Sequence, residues 1–148
     1  VATEPASGGY HWVPGERSPI HTSALGRALL VKDSEAVLRT TLLGTDMPRS
    51  SRGPMTWSDL LDSLSAIRVQ GVSVGRGEPR KGLETVAAPV FDHLGLAVAS
   101  VGLVRACAAD GPVAPARVRD DVRRAAETLS ARLGGRGDLG TPRCRTLT

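Results

Sequence analysis

Aromatic residues are scarce in this chain, which has one Tyr, one Phe and two Trp among its 148 residues. Proteins that bind single-stranded nucleic acids stack successive bases on several aromatic side chains. So few rings exclude a wide stacking platform of that kind. Because 41% of the residues are nevertheless hydrophobic, the core must be assembled mainly from Ala, Val and Leu.

Cysteine and long apolar runs are also scarce. Cys107 and Cys144 lie far apart, and neither belongs to a C-x-x-C pair. This spacing predicts neither a disulfide framework nor a zinc site, and it is typical of a reducing, cytoplasmic location. No stretch approaches the roughly 20 consecutive apolar residues that a membrane span requires, so we expect no membrane partner.

The positive charge comes almost wholly from arginine, since Lys32 and Lys81 are the two lysines and the formal net charge is +4. The arginines are spread along the chain, and Asp120, Asp121 and Glu127 interrupt their densest part. Such a mixture is more typical of a solvated helix face than of a nucleic-acid surface. The length predicts one domain.

Hydrophobic periodicity and capping residues predict an α+β domain whose central antiparallel sheet is flanked by helices. The helices are expected to begin at Thr22 or Ser23, at Ser34, behind a capping box over 56–59, and at Pro115. We expect strands over 10–13 and 72–74, and a hairpin of 83–92 and 96–104 in the middle of the sheet. Residues 44–54 and 75–82 are predicted to be irregular. The apolar stripe of the last helix is predicted to consist of Val118, Val122, Ala125, Leu129 and Leu133.

A catalytic function finds little support in the residues. There is no G-x-S-x-G motif, and His11, His21 and His93 lie in three unrelated places. A dyad of Cys107 and His93, or a metal site from these histidines and Cys107, lacks the spacing that such chemistry requires. We therefore expect no enzyme, no cofactor and no metal ion.

A binding function remains. The helix N-terminus at Ser23, Ala24 and Leu25 presents backbone N–H groups that suit the carboxylate of a small organic acid. The facing positions on the predicted hairpin are mostly small, and these are Leu83, Thr85, Ala87, Gly102 and Val104. Small residues on a sheet face leave volume for a ligand. Alternatively, they let the helix pack closely on the sheet, which is the preferred interpretation on these residues alone.

Three motifs resemble the IclR family of bacterial transcriptional regulators. P-I-H-T-S-A-L-G-R-A-L-L over 19–30 is similar to the family signature P-x-H-x-T/S-A-x-G-K-A-L-L. G-V-S-V over 71–74, then Glu78, Gly82 and V-A-A-P-V-F-D over 86–92, match its glycine, strand, acidic loop and next strand without gaps. L-S-A-R-L-G over 129–134 is similar to the end of its closing helix.

The resemblance implies a GAF-like effector-binding domain over 14–134, with a lead-in and possible edge strand at 1–13 and a tail at 135–148. Such a domain binds a small metabolite and forms a homodimer or homotetramer. DNA binding is then expected from a separate N-terminal winged helix-turn-helix, which the residues before Tyr10 do not provide. The alternatives are a freestanding GAF-like module that binds a protein partner, or a small enzyme that uses Cys107.

The resemblance also draws attention to five departures. Family members often carry an acidic residue where this chain has Gly75, a cysteine at Thr85, serines at Gly102 and Val104, and a lysine at Arg27. We therefore add Gly75 to the candidate effector-binding residues. Losing these polar groups predicts a roomier, less polar pocket.

The pocket is thus expected to have lost its ligand or to bind an effector larger or more apolar than a small keto- or hydroxy-acid. Thr85 and the amides of residues 23–25 are the polar contacts that remain. Arg76 and Arg80, in the loop beside the pocket, are candidates to pair with an acidic ligand.

Overall fold

The computed structural model describes residues 14–17, 19–42, 49–50, 53–54, 56–78, 81–108, 111–136 and 139. Its helices are α1 (Ala24–Leu29), α2 (Glu35–Thr41), α3 (Trp57–Gln70) and α4 (Ala116–Arg132). Its strands are β1 (Arg49–Ser50), β2 (Gly53–Pro54), β3 (Ser73–Arg76), β4 (Leu83–Phe91) and β5 (Ala97–Ala106). The predicted strand over 10–13 lies outside the described residues.

The first three helices begin where the sequence predicts, because each has a side-chain N-cap. The hydroxyls of Ser23 and Ser34 accept hydrogen bonds from the backbone of α1 and α2. Thr56 and Asp59 form the predicted capping box at the start of α3, and Gly71 ends that helix in the left-handed conformation with φ of 76°. These local signals need no tertiary context.

The main sheet is antiparallel with strand order β3-β4-β5, so the predicted α+β fold with its hairpin is confirmed. Three details differ from the prediction. Strand β5 continues to Ala106 and lies at an edge of the described sheet, with β4 at its centre. Gly75 and Arg76 belong to β3 and not to an irregular loop. The segment 44–54 contains the short paired strands β1 and β2.

Helices cover both sides of this sheet, and we name each side after the helix packed against it. Side chains alternate between the two sides along every strand. The α1 face carries Ser73, Gly75, Thr85, Ala87, Gly102 and Val104. The α4 face carries Val74, Val86, Ala88, Val90 and Val101. The α1 face is therefore built from smaller and more polar residues than the α4 face.

The largest apolar side chains of the core lie where residues of α2, α3 and the segment after α1 form a cluster with the Phe91 end of β4. Leu30, Leu38, Leu60, Leu64 and Phe91 form one buried cluster there. Leu60 and Leu64 lie one turn apart on α3, so they share the buried side of that helix. Leu139, within the predicted tail at 135–148, also packs against this cluster.

The buried stripe of α4 differs from the predicted one. Val122, Ala126 and Ser130 are buried, whereas Leu129 is 41% and Leu133 49% exposed; Ala125 is exposed as well. The hydroxyl of Ser130 accepts from the backbone N–H of Phe91 at 2.9 Å and donates to the carbonyl of Ala126 at 2.8 Å. The buried position on α4 is thus 130, where a hydroxyl satisfies the backbone N–H of Phe91 at the register shift between β4 and β5, instead of the predicted Leu129.

No helix among the described residues is long and apolar enough to cross a membrane.

Candidate functional site

The α1 face gathers the residues that the sequence singled out. Gly75, Thr85 and Val104 form one row across the three strands, and Ala87 lies opposite Gly102 in the row of Ser73. Leu83 lies further along β4, opposite Ala106, and is half-buried. Ser23, Ala24 and Leu25 stand at the start of α1, which contacts all three strands. The structure therefore places these residues around one side of one sheet.

Helix α1 approaches the sheet closely, and Leu25 fills the place beside Gly102. A methyl group on Gly102 would lie 3.0 Å from the Leu25 side chain and 3.0 Å from the carbonyl oxygen of Val86. Ala24, Ala28 and Ala87 form a fully buried contact next to it. The expectation of a roomier site is therefore wrong at Gly102, where small residues permit close packing instead.

The N-terminus of α1 is capped by the side chain of Ser23. The Ser23 hydroxyl accepts from the Gly26 N–H at 3.1 Å, and the Ser23 carbonyl accepts from the Arg27 N–H at 2.9 Å. The helix has six residues, so its dipole is weaker than that of a long helix. The Ile20 carbonyl presses against Gly26, where no side chain fits. Carboxylate binding at this N-terminus stays a prediction.

A buried ion pair joins α1 to the loop after β3. The guanidinium of Arg27, 3% exposed, donates to the carboxylate of Glu78, 13% exposed, through Nη2 at 2.9 Å and Nη1 at 3.2 Å. The Glu78 carboxylate occupies the place that a side chain on Gly75 would fill. The site thus contains an acid, supplied by residue 78 instead of residue 75, and the expected extra room is absent here too.

Sequence reasoning noted Glu78 as part of an acidic loop but did not place it in the site. A usable signal exists: an arginine inside the buried face of a helix requires an acidic partner. Periodicity gives no way to choose that partner 51 positions away.

Two polar atoms on this side lack a hydrogen-bond partner within the described part of the chain. They are the Nε of Arg27 and the hydroxyl of Ser73, both buried. Thr85, the polar site residue that the sequence emphasised, donates to the backbone carbonyl of Glu78 at 3.3 Å. The α1 face therefore combines a neutralised ion pair with donors that are not fully used.

The α4 face carries a second buried ion group at the same end of the sheet. Glu84 is 0% exposed and accepts from Arg76 at 2.9 Å and from Arg105 at 2.6 Å. Burial raises the pKa of the Glu84 carboxyl, but hydrogen bonds from Arg76, Arg105 and the Ala114 backbone outweigh it and leave the pKa below 4.5. The expectation that Arg76 pairs with an acidic ligand is therefore wrong, because it faces α4. Arg80 lies outside the described residues.

The catalytic alternatives fail on geometry. Cys107 follows β5 beside Gly82, whereas His93 lies in the turn at the opposite end of the hairpin. The nine residues of β4 separate them, roughly 30 Å at the rise of a strand, so they cannot form a dyad. Among the described residues, no group of three or more His, Cys, Asp or Glu side chains is arranged to hold a metal ion.

The chain matches the family model for the C-terminal domain of the bacterial transcriptional regulator IclR over residues 10–131. It is 31% identical over 130 residues to the HTH-type regulator BhcR of Paracoccus denitrificans, covering 86% of this chain and 46% of BhcR. Among solved structures, it is similar to the repressor BlcR of Agobacterium tumefaciens, with a TM-score of 0.78 and 26% identity over 88% of this chain and 53% of BlcR.

It also shares its fold with an inducer-binding domain of the transcription factor PobR from Acinetobacter, solved as a double mutant with 3-hydroxybenzoic acid. The TM-score is 0.66 and the identity 22%, covering 78% of this chain and 67% of that one. The chain spans about half the length of BhcR and BlcR.

Proposed function

Because this chain belongs to the IclR family of bacterial transcriptional regulators and corresponds to its C-terminal domain, we propose that it senses a small-molecule effector for such a regulator. The family consists of regulators and not of enzymes, as the sequence led us to expect. The family match over 10–131 is the observation that carries this proposal. No feature of the described residues favours the protein-interaction or Cys107 alternative.

The effector site we propose lies between α1 and the sheet. Its residues are Ser23, Ala24, Leu25, Gly75, Leu83, Thr85, Ala87, Gly102 and Val104. Support comes from their convergence on the α1 face. Further support comes from the polar groups of Arg27 on α1 and of Ser73 and Thr85 on the facing strands. Since Leu25 and Glu78 fill the places beside the glycines, a ligand must displace one of these side chains.

The effector we propose is larger or more apolar than a two- or three-carbon keto- or hydroxy-acid. The site offers alanine, leucine and valine surfaces together with few polar contacts. An aromatic acid is one example of this class. The PobR domain was solved with 3-hydroxybenzoic acid, which makes that compound a reasonable first probe.

Effector binding would act through differential affinity for two arrangements of an oligomer, a homodimer or homotetramer in the cytoplasm. In this proposal a separate N-terminal winged helix-turn-helix contacts DNA, and the domain described here changes the spacing of two such units. A ligand shifts the arrangement only by as much as its affinity differs between the two states.

A thermal-shift screen followed by calorimetry tests the sensing role. The panel comprises two- and three-carbon keto- and hydroxy-acids, 3-hydroxybenzoic acid and other aromatic acids, and lactones. We expect an aromatic acid or a lactone to raise the unfolding temperature more than any short acid at equal concentration, because binding to the folded state stabilises it. Preferential binding of a two- or three-carbon acid would contradict the proposed effector class, and a silent panel would contradict the sensing role for these classes.

A further inference from the structure

Arg27 and Glu78 form a bidentate ion pair, the geometry in which an arginine binds the carboxylate of a ligand. The two guanidinium nitrogens Nη1 and Nη2 each donate to a different carboxylate oxygen, at 3.2 and 2.9 Å. Such paired N–H groups match carboxylates in general, whether or not the carboxylate belongs to the same chain. Arg27 is 3% exposed, so its charge must always be neutralised by some anion.

Glu78 does not use all the donors of this site. Within the described residues, the Arg27 Nε and the Ser73 hydroxyl have no hydrogen-bond partner, although both are buried. A buried donor without an acceptor costs about 1–3 kcal/mol. The second Arg27 contact, from Nη2 to the carbonyl of Val74, is long at 3.4 Å. A carboxylate that could shift within the site would find further donors there.

Glu78 itself is the more exposed partner and belongs to a loop instead of a helix or strand. Its side chain is 13% exposed, and its carbonyl accepts a long hydrogen bond of 3.3 Å from Thr85. Gly77 and Gly82, on either side, have φ of 70° and 82°. Withdrawal of Glu78 would rehydrate its carboxylate without breaking the β3-β4 register, because that pairing ends at Arg76 and Glu84.

We propose that Arg27 is a carboxylate-binding residue, that Glu78 holds its site in the structure described here, and that the effector is a monocarboxylate whose carboxylate replaces that of Glu78. This proposal rests on the sensing role above and adds the ligand's charged group to it. Exchange of one carboxylate for another keeps the buried guanidinium neutralised. An uncharged ligand cannot replace Glu78, because a buried unpaired charge would remain.

The same exchange would couple binding to the loop. Departure of Glu78 frees the side of Gly75 for the ligand and releases the loop that follows β3. The apolar part of the ligand would then lie beside Thr85 and Val104, which share the row of Gly75 on the α1 face.

Chemical rescue tests the proposal. In the Glu78→Ala variant of the 148-residue chain, the deleted atoms are a methylene and a carboxylate, and the probe is propionate, which carries both together with one additional methyl group. Propionamide is the uncharged control of nearly equal shape, and sodium chloride controls for ionic strength. Glu35→Ala is the matched control variant, because Glu35 also pairs with an arginine, Arg39, but at the surface.

We expect Glu78→Ala to unfold at a lower temperature than the wild type and to recover more than half of that loss in propionate. Propionamide and sodium chloride should give no comparable recovery, and Glu35→Ala should not respond to propionate beyond the salt control. Propionate should bind Glu78→Ala about tenfold or more tightly than the wild type, since a tethered competitor is gone. Adding Arg27→Met to the variant should abolish the effect.

The proposal is overturned if propionate stabilises Glu78→Ala no more than propionamide or salt does. Should that variant fail to fold, the wild-type chain decides by NMR: propionate must shift the Arg27 Nε–H resonance, assigned with Arg27→Lys, and leave that of Arg39 unchanged. Equal response of both arginines, or none, rejects the site. If propionate does not rescue the variant but an aromatic acid or lactone binds in the screen, only the carboxylate exchange is rejected. If propionate rescues the variant but no compound in the screen binds, only the proposed effector classes are rejected.

Discussion

The two faces of one sheet each bury an ion group, and the two groups are built differently. On the α4 face the acid is at the centre: Glu84 accepts from Arg76 and Arg105, its register neighbours on the two adjacent strands. On the α1 face the base is at the centre: Arg27, on a helix, pairs with Glu78, on a loop.

This difference separates a structural group from an exchangeable one. Three residues in register on three paired strands are held next to one another by the sheet itself, and Arg105 also donates to the Pro112 carbonyl ahead of α4. A loop carboxylate can leave a helix while the sheet stays intact. We therefore assign a stabilising role to the ion group on the α4 face and a ligand-exchanging role to the ion pair on the α1 face.

The largest effect is expected from Glu84→Ala. It leaves two arginines around a buried site without their shared acid, and breaking a buried ion group in this way costs about 3–5 kcal/mol. Urea denaturation measures the free energy of unfolding. Glu35→Ala, which breaks the exposed pair of Glu35 and Arg39, is measured in parallel. If Glu84→Ala lowers the free energy of unfolding by less than Glu35→Ala does, the structural role of Glu84 is contradicted.

The next effect is expected from Ser130→Ala, which removes the acceptor of the buried Phe91 N–H on the same side of the sheet. We expect a loss of about 1–3 kcal/mol, the usual cost of an unsatisfied buried donor. Thr128→Ala is a matched control, because the Thr128 hydroxyl likewise donates to a helix carbonyl but is exposed. Equal losses in the two variants would show that the Phe91 contact contributes nothing.

A smaller effect concerns acid. The pKa of Glu84 in the folded chain lies below its ordinary value of 4.5, so this carboxylate stabilises the fold at neutral pH. That contribution is present above pH 4.5 and is lost as the pH falls through the lower, folded-state pKa. Stability measured in urea at a series of pH values should therefore fall less steeply below pH 4.5 in Glu84→Gln. Identical slopes would contradict the lowered pKa.

The smallest effect on stability is expected on the α1 face. Thr85→Val removes one long hydrogen bond, to the Glu78 carbonyl, and should change the free energy of unfolding by less than about 1 kcal/mol. The affinity of Thr85→Val for an effector found in the screen should nevertheless be lower than that of the wild type. Thr85→Ser, which keeps the hydroxyl, should bind that effector as the wild type does. A large stability loss with unchanged affinity would place Thr85 among the structural residues instead.

Local signals made much of the fold predictable from sequence. Ser23, Ser34, Thr56 and Gly71 end or begin helices through contacts within a few residues, so their roles can be inferred without the rest of the chain. The stripe of α4 was predicted correctly at Val118 and Val122. Its later part was predicted one position off, because Ser130 is buried with its hydrogen bond to Phe91, 39 positions away.

The candidate site was predictable only in part. Strand alternation placed Thr85 with Ala87 and Gly102 with Val104, and the structure brings these pairs to one face. The occupants of the space beside the glycines escaped prediction, because Leu25 and Glu78 reach Gly102 and Gly75 through tertiary packing. Glycine in a sequence predicts the absence of a side chain, which is different from the absence of neighbouring atoms.

The unfolding temperatures of Glu78→Ala and Glu84→Ala, recorded side by side in propionate and in propionamide, test the division between the two faces most directly. Each variant removes a carboxylate that pairs with arginine, from the single buried Arg27 on the α1 face and from the partly exposed Arg76 and Arg105 on the α4 face. We predict that propionate stabilises Glu78→Ala well beyond propionamide and leaves Glu84→Ala at its propionamide value. Equal responses of the two variants, or no response from Glu78→Ala, would contradict an exchangeable carboxylate site on the α1 face.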